Sequence, residues 1–116
     1  LEAMKTAAIV QKAWREDPSC MPISELMDVA TINGARALGI DAGRIEEGAL
    51  ADIIIVDTDS YHFMSPASFE ANLIYSAHSD CIDSVICNGR YVMKNKVVSG
   101  EMDVLMQARK LLNMVL

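Results

Sequence analysis

The sequence is poor in the features that mark a specialised surface or compartment. Aromatic side chains are scarce, with one Trp, three Tyr and two Phe in 116 positions, so flexible aliphatics, among them eight Met, must fill the core. Only three cysteines occur, Cys20, Cys81 and Cys87, an odd number with no Cys-x-x-Cys pair. That points to a reducing, cytoplasmic setting. Basic residues are outnumbered ten to sixteen, for a net charge of -6. A surface of that sign does not neutralise phosphates, so no nucleic-acid partner is expected. No uncharged apolar run approaches the roughly 18 residues that span a bilayer. The longest buried-looking run is Ile53-Ile54-Ile55-Val56. No signal peptide, repeat or low-complexity segment is visible, and no membrane partner is expected.

What is present is enough for a core. Apolar residues make up 52% and charged residues 22%, which excludes a disordered chain. A chain of this length buries roughly two-thirds of its unfolded surface, enough for one domain or one piece of a larger one. Leu1-Glu2-Ala3-Met4 already lies inside a helical pattern, with no Ser, Thr, Asp or Asn ahead to cap it. The chain is therefore expected to be a fragment of a longer protein.

Ala3, Ala7, Val10 and Trp14 recur at helical spacing, with Met4 and Ala8 beside them, and predict a helix over 1–16 that Asp17-Pro18 ends. A second helix is expected from Ser24, as N-cap, to Leu38, with Gly39 beyond its C-terminus and a close backbone approach at Gly34. Residues 41–51, with Gly43, Gly48 and several acids, read as a surface loop. Asp52 to Asp57 reads as a strand buried on both faces, and Tyr61 to Met64 as a short strand. Phe69 to Ala77 is ambiguous. Ile82 to Cys87 and Arg90 to Met93 form a hairpin around Asn88-Gly89, the strongest short-range turn signal, and Asn95-Lys96 permits a second turn into Val97-Val98. After Gly100, Val104, Ala108, Leu111 and Val115 mark a last helix. The class is α+β, with a sheet that looks incomplete.

The chemistry-bearing residues do not assemble a site by spacing. Ser76, His78 and Asp80 have triad composition, but in an extended segment they project in parallel about 6 to 7 Å apart, whereas a triad converges from separate segments. His62, His78, Cys20, Cys81 and Cys87 lack the short paired spacings of structural zinc sites. Cys81 and Cys87 are expected to be small buried hydrophobes, and His62 a partly exposed strand residue. Asp52 and Asp57 lie about 16 Å apart along a strand, too far for shared acid–base work, and suit strand-end bonding to loop amides. Gly43 and Gly48 do not form a phosphate loop. The amphipathic stretch Asp103 to Leu116 suits docking better than membrane binding, because its polar face is not strongly basic.

Three stretches resemble one family. Ala30 to Gly39 (ATINGARALG) resembles the Ala-Thr-x-Asn-Gly-Ala-x-x-Leu-Gly helix of metal-dependent amidohydrolases. Arg44 to Asp57 (RIEEGALADIIIVD) resembles the segment that follows it, with Ala49-Leu50 where the family usually has Lys before Ala-Asp. Val85 to Arg90 (VICNGR) resembles the later hairpin. Order and spacing are similar to the C-terminal third of the chlorohydrolase and deaminase branch, which includes the methylthioadenosine/S-adenosylhomocysteine deaminases. The resemblance covers about residues 1–98.

The resemblance implies a composite architecture. Residues 1–40 would be the last helices of a (β/α)8 catalytic barrel, 41–100 the C-terminal part of a small β-sandwich, and 101–116 a C-terminal helix packed back on the body. Missing sandwich strands would come from an absent N-terminal portion, which becomes the first partner. It also implies a divalent metal, zinc or iron, for the parent enzyme, a small-molecule substrate, and hydrolysis of C–N bonds other than peptide bonds by metal-activated water, the parent being a purine/pyrimidine-type aminohydrolase, a deaminase. The implied ligands are a His-x-His pair, two later histidines and an Asp, and none matches a position here. No catalytic, cofactor-binding or metal residue is therefore assigned in this chain, and the fragment alone is expected to be inactive. Its uncovered apolar faces imply a homo-oligomer. The alternative is a non-catalytic assembly or binding module using the same strands by itself.

Overall fold

A computed structural model describes residues 1–115, with side chains to residue 114. The first helix, α1 (Glu2–Arg15), follows the expected span. It buries Ala8, flanked by half-buried Met4 and Ala7, and leaves Val10 and Trp14 in solvent, Trp14 at 84% exposure. The buried stripe thus runs beside the Ala3–Val10–Trp14 face, because the small Ala8 is where other helices approach. Glu16, not Asp17, ends α1, in the left-handed region at φ 52°.

The single helix expected over 24–38 is two. Helix α2 (Ile23–Ala30) and helix α3 (Ile32–Leu38) are separated by Thr31 at φ -125°, ψ -94°. The Thr31 hydroxyl donates to the Met27 carbonyl at 2.7 Å, turning the side chain onto its own helix. From the following loop, Gly43 presses against the same residue. A Cβ at Gly43 would lie 2.7 Å from both the carbonyl carbon and oxygen of Thr31. The close approach expected at Gly34 is only ordinary contact, 3.6 Å to the Val29 carbonyl oxygen. Ser24 lies inside α2, whose N-cap position is Pro22. Gly39, at φ 68°, ends α3 as expected.

The sheet is an antiparallel meander of β1 (Ile53–Val56), β2 (Ile82–Cys87), β3 (Arg90–Lys94) and β4 (Val97–Val98), in that spatial order. Both expected turns close it. Asn88 and Gly89 have φ of 47° and 74°, and Asn95 and Lys96 have 51° and 64°, the paired positive values of a type I′ turn. Strand β1 is not buried on both faces. It is an edge strand with β2 as its one neighbour among the described residues, and its adjacent residues Ile54 and Ile55 are 49% and 40% exposed. Successive strand residues point to opposite faces, so both faces are partly open.

Tyr61–Phe63 is a 3-10 turn rather than a strand. The ambiguous stretch forms α4 (Phe69–Tyr75), whose N-cap Ser68 hydroxyl accepts the Ala71 N–H at 3.2 Å. Two core clusters result. Ala8, Leu26 and Ile74 lock α1, α2 and α4 together. Leu73, Ala77 and Cys81, with Val56 and Phe63 against them, join the helices to the sheet. Helix α5 (Glu101–Val115) contributes to neither. Every described side chain from Glu101 to Met114 is exposed, so α5 buries none of them against the rest of this chain. Its stripe of Val104, Ala108 and Leu111 faces solvent, and the Val115 side chain and Leu116 lie outside the described residues.

Candidate functional site

The carboxylates that bracket β1 hold turns. Asn88 N–H donates to Asp52 Oδ1 at 2.7 Å, and Asp59 N–H donates to Asp57 Oδ1 at 3.1 Å. With Gly89 N–H bonded to the Ala51 carbonyl at 3.0 Å, the first hairpin turn is pinned to the start of β1. In the acidic loop, Arg44 is clamped by Glu46 and Asp41, and those hydrogen bonds hold its guanidinium pKa above the ordinary arginine value. Gly43 and Gly48 lie in this loop at positive φ, 82° and 93°.

The reactive side chains meet where two 3-10 turns come together. Ser60 caps the first, its hydroxyl accepting the His62 N–H at 3.4 Å. This aims the His62 ring inward, to 9% exposure, against the ring of Tyr61 (4.0 Å between centroids) and edge-on to His78 (5.2 Å, 64°). His62 is therefore a buried turn residue, not a partly exposed strand residue. The second turn, Ser79–Cys81, presents Asp80 and Cys81. Asp80 Oδ1 lies 3.4 Å from His62 Nε2, and Cys81 Sγ lies 3.9 Å from both Asp80 Oδ1 and Ser60 Oγ. The ligand atoms of His62, Asp80 and Cys81 all fall within 4.8 Å of one another. Cys81 is 1% exposed and Asp80 is open to solvent. His62 Nε2 is buried without a hydrogen-bond partner, a state that costs roughly 1–3 kcal/mol.

The remaining candidates separate. The stretch holding Ser76, His78 and Asp80 is the end of α4 and a 3-10 turn, not an extended segment. His78 Nδ1 sits 3.0 Å from Glu2 Oε1 on α1, Asp80 faces His62, and Ser76 bonds to neither among the described residues. They do not form a triad. Cys81 is buried as expected, but Cys87, at the end of β2 beside the hairpin turn, is exposed, and Cys20 is half-buried between α1 and α2. Spacing could not reveal the His62–Asp80–Cys81 grouping, because α4 intervenes between the two turns and only its packing brings them together.

The divalent metal implied by the resemblance does not fit these residues. It calls for four histidines including a His-x-His pair, and the chain has two, His62 and His78, of which His78 is turned toward Glu2.

Comparison with known proteins extends the three motif matches to nearly the whole chain. The chain is 43% identical over 104 residues to the 5'-deoxyadenosine deaminase of Methanothermobacter thermautotrophicus, covering 90% of this chain and 23% of that protein. It is 42% identical over 101 residues to 5-methylthioadenosine/S-adenosylhomocysteine deaminase 1 of Archaeoglobus fulgidus, covering 87% of this chain and 24% of that protein. Among solved structures, it superposes with a TM-score of 0.86 and 27% identity on an adenosine deaminase from Xanthomonas campestris with bound zinc, covering 97% of this chain and 26% of that one. The zinc complex of atrazine chlorohydrolase from Arthrobacter aurescens superposes with a TM-score of 0.77 and 25% identity, over 95% of this chain and 25% of that one. The chain thus spans about a quarter of the length of the relatives it matches. The amidohydrolase family model itself matches residues 1–92, well over half of the sequence and including all three motifs, so the chain belongs to the amidohydrolase family.

Proposed function

We propose that residues 1–116 form the C-terminal part of a metal-dependent hydrolase that acts on C–N bonds other than peptide bonds, an aminohydrolase of purine-type substrates. The likeness to adenosine-type deaminases, sustained over nine-tenths of the chain, carries this reading. Residues 1–40 would end the catalytic barrel, 41–100 would complete a small sandwich, and 101–116 would follow as a C-terminal helix. The catalytic groups would lie outside these residues, and this chain would supply support and edge covering. The uncovered apolar faces support that division. Trp14 on α1, Leu38 on α3, Ile54 and Ile55 on β1 and Leu111 and Leu112 on α5 are all exposed. Each suits a surface that other parts of the enzyme cover.

The coding sequence upstream of Leu1 tests the reading directly. It should encode a barrel carrying a His-x-His pair, and the longer polypeptide should release ammonia from adenosine-type substrates while the 116-residue chain does not. A Met codon immediately before Leu1, or turnover by the 116-residue chain alone, would overturn it.

By itself the chain should self-associate. Burying about 800 Å² per copy, as stable dimers do, would cover much of the apolar surface of α1 and α5. Sedimentation at micromolar concentration should show species larger than a monomer. A single monomeric species that also fails to bind a hydrophobic dye would refute self-association.

A further inference from the structure

We propose that His62, Asp80 and Cys81 form a binding site for one divalent transition metal of the zinc class, which staples the Tyr61–Phe63 turn to the Ser79–Cys81 turn. The first support is geometric. With metal–ligand bonds of about 2.0–2.3 Å, the edges of a tetrahedral site measure about 3.4 Å between nitrogen and oxygen and about 3.6 Å between sulfur and oxygen. The observed separations are 3.4 Å from His62 Nε2 to Asp80 Oδ1 and 3.9 Å from Cys81 Sγ to Asp80 Oδ1. Two of the three edges are therefore close to those of such a site already, and the third donor pair lies within 4.8 Å.

The second support is the unpartnered nitrogen. His62 is nine-tenths buried, and its Nε2 lies 3.4 Å from Asp80 Oδ1 with no hydrogen bond made among the described residues. Coordination would satisfy it. The Ser60 cap holds the backbone of His62, and the 1%-exposed Cys81 is fixed in the core cluster, so both ligands are positioned before a metal arrives.

Charge and softness select the ion. A Cys81 thiolate, an Asp80 carboxylate and a neutral His62 imidazole balance a dication, which allows a partly buried site. A mixed nitrogen, sulfur and oxygen set favours zinc or cobalt over magnesium or calcium, which take oxygen ligands. On binding, the Cys81 S–H bond breaks, the proton leaves to solvent and the sulfur lone pair bonds the metal. The exposed Asp80 side leaves the fourth position to water. This replaces the expectation from spacing alone that these residues hold no metal, and it goes beyond the proposed aminohydrolase function without depending on it.

Titration of the 116-residue chain with Co²⁺, and Zn²⁺ competition against a chelator, tests the site. One equivalent of metal per chain is expected, with a thiolate-to-cobalt charge-transfer band in the near ultraviolet. Cys81→Ser should abolish that band, whereas the double replacement of Cys20 and Cys87 by Ser should leave it intact. Asp80→Asn, at an exposed position that should fold normally, should weaken binding by at least about tenfold, since losing even an outer-shell partner costs 10–100-fold. If Cys81→Ser fails to fold, the Asp80→Asn affinity and the band of the double cysteine variant decide. No bound metal in the wild-type chain, leaving only a His62–Asp80 ion pair, would overturn the proposal. So would a band that survives Cys81→Ser, or unchanged affinity in Asp80→Asn.

Discussion

The helical cluster and the β-meander are ordered by different means. In the cluster, α1, α2 and α4 close around Ala8, Leu26 and Ile74, each at most 1% exposed. In the meander, Tyr91, Val92, Val97 and Val98 all remain between 42% and 66% exposed, yet the strands still pair, with one register shift between Val85 and Ile86. The helices owe their arrangement to apolar burial between segments far apart in sequence. The outer strands owe theirs to two turns whose residues accept positive φ, and to ladder hydrogen bonds over short separations. Contact-ordered parts fail when a buried side chain is lost, and turn-ordered parts fail when a backbone conformation is forbidden.

Truncating the centre of the cluster should have the largest effect. Leu26→Ala removes a side chain at 1% exposure, and a cavity of that kind costs about 3 kcal/mol. Chemical denaturation followed by helical dichroism should register that loss while the amide signals of Asn88 and Gly89 keep their native shifts. Collapse of both regions together would show that the meander depends on the cluster after all.

Gly43→Ala attacks the junction between α2 and α3. A Cβ there would meet the Thr31 backbone at 2.7 Å, with φ at +82°, so a loss of about 2 kcal/mol is expected by the same assay. Thr31→Ala, which removes only the hydroxyl bond to Met27, should cost less. The reverse order would mean that the side chain and not the glycine contact makes the break.

Gly89→Val probes the meander alone. The space around a Cβ there is open, so only the strained φ of +74° acts, and a loss of more than about 1 kcal/mol is expected. Loss of the cross-strand amide contacts between Cys87 and Arg90, with the helical dichroism intact, would sharpen the contrast. A change indistinguishable from zero would remove the turn as the ordering element.

The smallest effect concerns Asp17, just beyond α1. Its carboxylate accepts the Ser19 hydroxyl at 2.6 Å and the Ser19 N–H at 2.8 Å, and the side-chain bond first, then the backbone one, holds its pKa below the usual carboxylate value. A depressed folded pKa stabilises above the unfolded value, near 3.9, and that contribution disappears as pH falls through the folded value. Wild type should therefore exceed Asp17→Asn slightly in denaturation midpoint at neutral pH, and the difference should shrink as pH falls below the unfolded value. A gap that widens on acidification would reverse the assignment.

What could be read in advance was local. Asn88-Gly89 and Asn95-Lys96 specify tight turns because few residues tolerate positive φ, and Gly39 ends α3 for the same reason. Asp52 and Asp57 were legible as strand-end carboxylates because a short acidic side chain beside a loop finds nearby amides. The family, too, lies in the order of three short motifs. Tertiary contact decided the rest. The break at Thr31 comes with a glycine twelve residues further along the chain, and periodicity within α2 and α3 carries no trace of it. The openness of β1 depends on how many strands lie beside it, which its apolar composition does not encode. His62 and Cys81 meet because α4 packs between α1, α2 and the sheet, folding two unremarkable turns onto each other. Backbone preferences act over a few residues and are written in residue type. Proximity between distant side chains is a property of the packed core and exists only once the chain has folded.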